Sequence, residues 1–378
     1  MIYFDNSATT FFKPKEAIEE LLIATTKLSV NPNRSFNDLT LELSQKIFET
    51  RQAIAQLVNL DFPQNVIFGL NCTDALNLAI LGSVKKKGIH VITSVLEHNS
   101  VLRPLYVLQQ SGHIQLTVLQ PDKNMNVLPT FVENALLPNT KIVILSHVSN
   151  VLGATQNLKA IGEVCHKNGI LFIVDGAQSV GYTDVDMKNN HINLLAFPAH
   201  KGLHGIAGCG VLCFDQKSAP NPIKFGGTGT QSHLLAQPTE TPEGYESGTL
   251  NSPAILALLG ALNWRKNNHV KFLKQMKLVQ TTLFESLSEV KKIKIRSVPN
   301  DSGIVTFEVS NKDSQEICDI LSQNYGIATR GGLHCAPLCH KFLGTEKTGL
   351  LRASVSGNNT LEETYIFVNA IKQIINKF

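Results

Sequence analysis

KIVILSHVSNVLGATQNLKAIGEVCHKNGILFIVDGAQSVG, residues 141–181, reads as a strand, a helix and a second strand. KIVILSHV (141–148) and ILFIVD (170–175) are short apolar runs rich in β-branched residues, and residues 157–168 between them carry helical spacing. The pattern continues outward. Upstream lie NVIFGL (65–70), a helix from Thr73, HVITSV (90–95), IQLTVL (114–119) and a helix near 129–136; downstream lie INLLAF (192–197) and CGVLCF (209–214). Strands alternating with helices predict an α/β fold with a mostly parallel sheet covered by helices. The last strands lack long helices between them, so one is expected to run antiparallel.

Beyond a Gly/Thr/Pro-rich stretch from Gly226 to Pro253, apolar spacing becomes helical to about residue 289, which predicts a long helix leaving the sheet. A second unit follows. IKIRSV (293–298), GIVTFEV (303–309), GIATR (326–330) and LLRASV (350–355) read as strands, and SQEICDILSQNY (314–325) as a helix. TLEETYIFVNAIKQIINK (360–377) closes the chain as a helix, with Thr360 as N-cap and Glu363 completing a capping box. The expected division is an arm at 1–15 that joins the smaller unit, a large domain at 16–252, and a linking helix with an α+β C-terminal domain at 253–378.

Composition narrows the function classes. A chain of 378 residues, 43% apolar and 17% charged, can bury a large core. The balance of 34 Lys plus Arg against 30 Asp plus Glu has no long run of one sign, so small-molecule chemistry is expected and nucleic-acid binding is not. The start, MIYFDNSATTFFKPKEAIEE, lacks a basic segment followed by an apolar core, and no stretch gives 18 uninterrupted apolar residues. The expectation is a cytoplasmic protein without a membrane partner. Seven scattered cysteines, an odd number, point to reduced thiols.

FPAHKGLHGIAGCGVLCF (197–214) carries the first chemical signal, with Lys201 after a strand and glycines around it. A partly desolvated lysine loses its proton more easily, and only the neutral amine forms a Schiff base with an aldehyde. Alone, this is equally a surface lysine in a glycine-rich turn. Twenty-six residues upstream, Asp175 ends a buried strand, where a carboxylate is costly without a partner. The protonated ring nitrogen of pyridoxal 5′-phosphate (PLP) is such a partner, and a helix N-cap is the plainer alternative. Gln178 and Asn150, from neighbouring strand ends, can both reach the ring hydroxyl. Cys72 and Thr73 lie where a helix begins, a setting for a phosphate or a simple cap. His98 follows another strand end, where an imidazole can lie flat on the ring or serve only structure. Five strand ends each offer one group suited to PLP, and ligands bind at that edge of parallel sheets.

These residues resemble the class V aminotransferases of PLP fold-type I, and within them the SufS-like cysteine desulfurases. The likeness runs from YFDNSATT (3–10) through EHNS (97–100), SNVLGATQ (149–156), VDGAQSVG (174–181) and HKGLHG (200–205) to RGGLHCAPL (330–338) and LRASVSGNNTLEE (351–363). The resemblance implies a seven-stranded, mostly parallel sheet in the large domain and a smaller C-terminal domain. It implies Lys201 for the Schiff base, Asp175 for the ring nitrogen and His98 for stacking, with Asn150 and Gln178 at the ring hydroxyl. Thr73, His200 and Cys72 would surround the phosphate. Thr228 and Thr249 resemble segments that reach the neighbouring subunit's phosphate, which implies a homodimer.

The chain also departs from the pattern. Family members usually carry Ser or Thr two residues before the His-Lys pair as a phosphate ligand, and here Pro198 offers no hydroxyl. Ile206 stands where Pro is usual, and Cys72 where Ala, Gly or Thr is common.

RGGLHCAPLCHKFLGT (330–345) sets Cys335 in a glycine-containing loop with His334 adjacent and Arg330 five residues earlier. Thiols near positive charge ionise more readily, and the thiolate is the nucleophile, although a loop cysteine is often inert. His334, Cys335, Cys339 and His340 also cluster in sequence, but their spacing is not that of a zinc finger, and no metal is expected. Cys209 and Cys213 alternate onto one strand face as core residues. The resemblance places Cys335 where desulfurases carry the persulfide-forming cysteine. Arg352, opening an apolar strand, fits a substrate carboxylate bidentately or forms a structural ion pair. Arg330 and Asn150 join it as expected substrate contacts.

The expected reaction converts L-cysteine to L-alanine and leaves its sulfur on Cys335 as a persulfide for an unidentified acceptor protein. Selenocysteine lysis, transamination or racemisation on the same scaffold is one alternative, with L-selenocysteine as a substrate. A non-catalytic sulfur-relay scaffold that kept the fold is another, and Pro198 is the reason to name it.

Overall fold

The computed structural model describes residues 1–32, 37–309 and 312–377. In chain order, β1 (Ile2–Tyr3), α1 (Lys15–Thr26) and α2 (Asp38–Leu57) precede β2 (Val66–Gly69), α3 (Cys72–Ser83), β3 (Ile89–Ser94), α4 (Asn99–Gln110) and β4 (Ile114–Leu119). Then come α5 (Pro129–Asn134), β5 (Thr140–Ser146), α6 (Leu158–Lys167), β6 (Leu171–Asp175), β7 (Leu194–Pro198) and β8 (Gly210–Phe214). The long α7 (Ser252–Ser288) leads to β9 (Ile293–Ile295), β10 (Ile304–Val309), α8 (Ser314–Tyr325), β11 (Ile327–Ala328), α9 (Pro337–Leu343), β12 (Leu351–Ser354) and α10 (Leu361–Lys377).

Seven strands form one sheet in the order β2-β8-β7-β6-β5-β3-β4. Strands β3 to β7 pair parallel, and β8 runs antiparallel to both β7 and β2, as the missing helix between the last strands predicts. Alternation sends successive side chains to opposite faces. Val143, Leu145, Phe172, Val174, Val211 and Cys213 enter a core shared with α2, α6 and the start of α7. Ile142, Ile144, Ile173 and Leu212 face the other way, against α3 and α4. Cys209 and Cys213 lie in the same core, each at most 1% exposed, as their spacing predicts. The segment 15–57, which carries no strand-helix alternation to read, folds as α1 and α2. Helix α1 packs on α7 so closely that a Cβ at Gly260 would sit 2.1 Å from the Glu16 carbonyl oxygen.

The second core gathers Val305, Phe307, Leu351 and Ala353 of the antiparallel sheet β12-β10-β9 with the second half of α7, α8 and α10. Phe4 belongs to that core, because β1 pairs in parallel with β11. The capping box of α10 forms: Glu363 N–H donates to Thr360 Oγ1 at 3.2 Å, and Thr360 N–H donates to Glu363 Oε2 at 2.9 Å. Among the described residues no helix is long and apolar enough to cross a membrane.

One buried ion pair fixes the antiparallel edge of the large sheet. Glu246 takes Arg51 Nη1 at 2.8 Å and Nη2 at 2.6 Å, and its Oε1 also accepts the Phe68 N–H of β2 at 2.7 Å. Removing one partner of a buried pair strands the other charge in a poor solvent. Glu246→Ala should therefore cost about 3–5 kcal/mol, read as a lower urea midpoint with the slope retained. A loss below about 1 kcal/mol would show that Arg51 finds water or another acceptor.

Candidate functional site

A cavity of about 230 Å³ opens where the carboxyl ends of β2, β3, β5, β6 and β7 meet the N-terminal segment and the second unit. Parallel strands place their chain-forward ends on one edge, so residues distant in sequence arrive there together. Each strand delivers a group: Cys72 and Thr73 after β2, His98 after β3, Asn150 after β5, Asp175 and Gln178 from β6, His200 and Lys201 after β7. Arg330 and Arg352 close the opposite wall.

Helix α3 starts at the cavity wall because Asn71 caps it, its side chain accepting the Asp74 N–H at 2.9 Å. A Cβ at Gly210 of β8 would lie 2.1 Å from the Asn71 carbonyl oxygen, so only glycine lets the helix start sit this close to the sheet. His98 caps α4 in turn. Its Nδ1 accepts the Ser100 N–H at 3.1 Å, which leaves the proton of the neutral ring on Nε2. Burial, helped by the charges of Lys201, Arg330 and Arg352, pushes this imidazole down to about 4, so it is neutral at pH 7. His98 thus caps α4 and also lines the cavity.

The Asp175 carboxyl is buried, and burial holds its pKa above the usual carboxylate value against the pull of the Ala177 N–H and Lys201. Its Oδ1 accepts the Ala177 N–H at 2.9 Å, and the Cys72 thiol approaches it at 3.9 Å. No helix starts there, so the N-cap alternative fails; and Asp175 forms no ion pair among the described residues. Burial lowers the Lys201 pKa, and Arg352 and Arg330 lower it further, while Cys72 and Asp175 oppose them. The Cys72 thiol is held far above its usual pKa by the same burial and by Asp175. Burial also takes His200 down to about 4.

Several polar atoms at this site wait for a partner. Gln178 Nε2 donates to the Ser7 carbonyl at 3.0 Å, yet its Oε1 is buried without a hydrogen bond, as are His200 Nδ1 and Arg352 Nε. A buried acid without a cation, a buried amine beside it, a helix start and orphaned donors and acceptors match the parts of PLP: ring nitrogen, aldehyde, phosphate and ring hydroxyl. The residues fit that cofactor.

Arg352, 1% exposed, donates Nη2 to Asp5 Oδ1 at 2.9 Å and Nη1 to the Asn150 carbonyl at 3.0 Å. The structural ion pair foreseen as an alternative is thus present, alongside the position on the cavity wall. Cys335 does not line the cavity itself. Its Sγ lies 3.6 Å from Nη2 of Arg330, which does. Two hydrogen bonds pin the loop: Asn150 Nδ2 to the His334 carbonyl at 2.7 Å, and the Asn99 N–H to the Cys335 carbonyl at 2.7 Å. Both His334 and Cys335 have positive φ, 49° and 57°, a conformation that costs non-glycine residues on the order of 1 kcal/mol or more each.

Thr228 and Thr249 lie away from the cavity. Thr228 is buried with Oγ1 3.2 Å from the Thr230 carbonyl, and Thr249 lines a separate 80 Å³ cavity with Lys224 and Asp74. Among the described residues no three His, Cys, Asp or Glu side chains could hold a metal ion; His340 instead bonds Thr345 Oγ1 through Nδ1 at 2.8 Å. Sequence reasoning missed Ser7, Ser100 and Ser146 on the wall. Ser146 ends β5, so the strand-end rule that found Asp175 could have found it. Ser100 had a signal only in its place beside a helix-starting histidine.

The class-V aminotransferase family profile matches residues 2–367. A protein of Pyrococcus abyssi (strain GE5 / Orsay) named probable cysteine desulfurase is 31% identical over 385 residues, covering 99% of this chain and 94% of its own length. A protein of the same name from Methanothermobacter thermautotrophicus (strain Delta H) is 29% identical over 384 residues, with 99% and 94% covered. The apo structure of a cysteine desulfurase from Thermococcus onnurineus NA1 superposes with a TM-score of 0.92 at 28% identity, covering 100% of this chain and 95% of that one.

Behind the wall, Glu97 accepts Ser94 Oγ at 2.6 Å and both Ser146 N–H and Oγ at 2.7 Å. Burial outweighs these bonds and raises its pKa to about 7 from 4.5. A carboxyl raised on folding binds its proton more tightly in the folded chain than in the unfolded one. The stability that this carboxyl contributes is therefore fully present below pH 4.5 and is lost as pH rises toward 7. Measured against Glu97→Gln by urea unfolding, the parent should lose about 3 kcal/mol of relative stability across that window. Parallel pH profiles would show that Glu97 ionises normally.

Proposed function

The chain belongs to the class-V aminotransferase family, and on that premise we propose that it is a PLP-dependent cysteine desulfurase that takes sulfur from L-cysteine onto Cys335. One observation carries the reading: Lys201, Asp175, His98 and Arg352 meet in one cavity with the Cys335 thiol beside Arg330 at its rim. When bound, PLP supplies an aldehyde that condenses with amines and a protonated ring that accepts the electron pair left when an amino acid loses its α-proton.

Lys201 would hold the cofactor through its amine. Its lowered pKa keeps that amine available as a nucleophile, and, once substrate displaces it, as the base for the α-proton. Asp175 would face the ring nitrogen and hold its proton there, gaining the cation its burial calls for. The neutral His98 ring would lie on the pyridine face. Thr73, the start of α3 and His200 would take the phosphate, and Asn150 and Gln178 the ring hydroxyl. Arg352, Arg330 and Asn150 would orient the substrate carboxylate. A second copy of the chain would bring Thr228 and Thr249 to its partner's phosphate.

Arg330 sets its Nη2 3.6 Å from Cys335 Sγ, and the thiolate form of a cysteine is the attacking species. The thiolate would form an S–S bond to the substrate sulfur while the carbon–sulfur bond breaks, its electron pair remaining with carbon. A proton returned to that carbon gives alanine and leaves a persulfide on Cys335. His334 and Cys335 both have positive φ in the loop that sets the thiol beside Arg330.

Two substitutions test this. Cys335→Ala should abolish protein-bound persulfide, read by mass spectrometry after exposure to L-cysteine, and alanine release should fall to background. Lys201→Ala should lower alanine formation by roughly 10²–10⁴-fold, the usual worth of a placed general base. Alanine and sulfide released at the normal rate by Cys335→Ala would overturn the proposal.

A further inference from the structure

The phosphate end of the cavity is built from two helix starts. Helices α3 and α4 are each 12 residues long and both begin at the wall, α3 capped by Asn71 and α4 by His98. The first N–H groups of α3, at Cys72 and Thr73, take no partner among the described residues, whereas those of Asp74 and Ala75 are satisfied by Asn71 at 2.9 and 3.1 Å. One direct contact joins the two starts, the Ser100 Oγ to Thr73 Oγ1 hydrogen bond of 2.8 Å. Ser100 is 8% exposed and faces the cavity.

Pro198 shares the wall and contributes neither a hydroxyl nor an N–H. A phosphate ester of about two negative charges, placed in a desolvated pocket, needs each of its oxygens met by a donor. We propose that Ser100 is a direct ligand of the cofactor phosphate, supplying with Thr73 the hydroxyl that residue 198 lacks. This rests on the PLP site proposed above.

The hydrogen-bond inventory permits it. His98 Nδ1 has one in-plane lone pair, and the Ser100 N–H already reaches it at 3.1 Å. The Ser100 hydroxyl, 2.9 Å from the same nitrogen, is therefore not needed to satisfy the ring. Two hydroxyls 2.8 Å apart carry two protons, and both can turn to one anion without moving a backbone atom. Both helix starts line the cavity, and each carries the positive end of a helix dipole.

Protein stripped of cofactor and titrated calorimetrically with PLP and with pyridoxal, which lacks the phosphate, tests the assignment. Ser100→Ala should raise the PLP dissociation constant by about tenfold to a hundredfold, the worth of a hydrogen bond to a charged group, and leave pyridoxal binding within about twofold. Ser100→Ala combined with Pro198→Ser should recover most of the loss, because a hydroxyl returns from β7. An unchanged PLP constant in Ser100→Ala, an equal weakening of PLP and pyridoxal, or no recovery in the double variant would overturn the role of Ser100. Unsubstituted protein that binds PLP no more tightly than pyridoxal would instead overturn the cofactor site, and this assignment with it.

Discussion

A carboxyl and an amine share one desolvated cavity here without neutralising each other. Asp175 and Lys201 feel each other's charge, yet no ion pair joins them, and burial drives both toward their neutral forms. Proteins rarely bury two such groups unpaired, because each costs several kcal/mol in a poor solvent. The rest of the molecule supplies the rigidity that keeps them apart. Parallel strands β6 and β7 set their separation, the core on each sheet face holds those strands, and Gly210 admits the α3 start to the same wall. That enforced separation leaves a buried carboxyl and a buried amine open to one cavity.

The thiol is held by a different kind of constraint. Cys335 belongs to the C-terminal part of the chain, and its approach depends on bonds that cross between the units: Asn150 to His334, Asn99 to Cys335 and Arg352 to Asn150. The loop accepts two residues of positive φ to meet these bonds. Their cost, on the order of 1 kcal/mol each, is comparable to what the hydrogen bonds return, so the loop is held without being locked.

Departures from the family pattern fall where redundancy exists. Pro198 offers no hydroxyl to a cavity wall that carries two helix starts, Thr73, Ser100 and His200. Cys72 places a protonated thiol 3.9 Å from Asp175 Oδ1. The groups without substitutes, Lys201, Asp175 and Cys335, are all present.

The sequence by itself determined the sheet. Periodicity in 64–214 gave all seven of its strands a place and made one of the last ones antiparallel, because burial on both faces writes continuous apolar runs into the chain. It also determined the strand-end rule by which Asp175, His98, Lys201, Asn150 and Thr73 were found, since parallel strands must present their ends together. Helices α1 and α2 left no comparable mark, as no strand-helix alternation frames them. Only the tertiary structure decided that Ser100 touches Thr73, that Glu97 gathers Ser94 and Ser146, and that Arg352 serves Asp5 as well as the cavity. Those contacts join residues on separate elements, and their distances depend on how helices and loops pack, which no local pattern of hydrophobicity encodes.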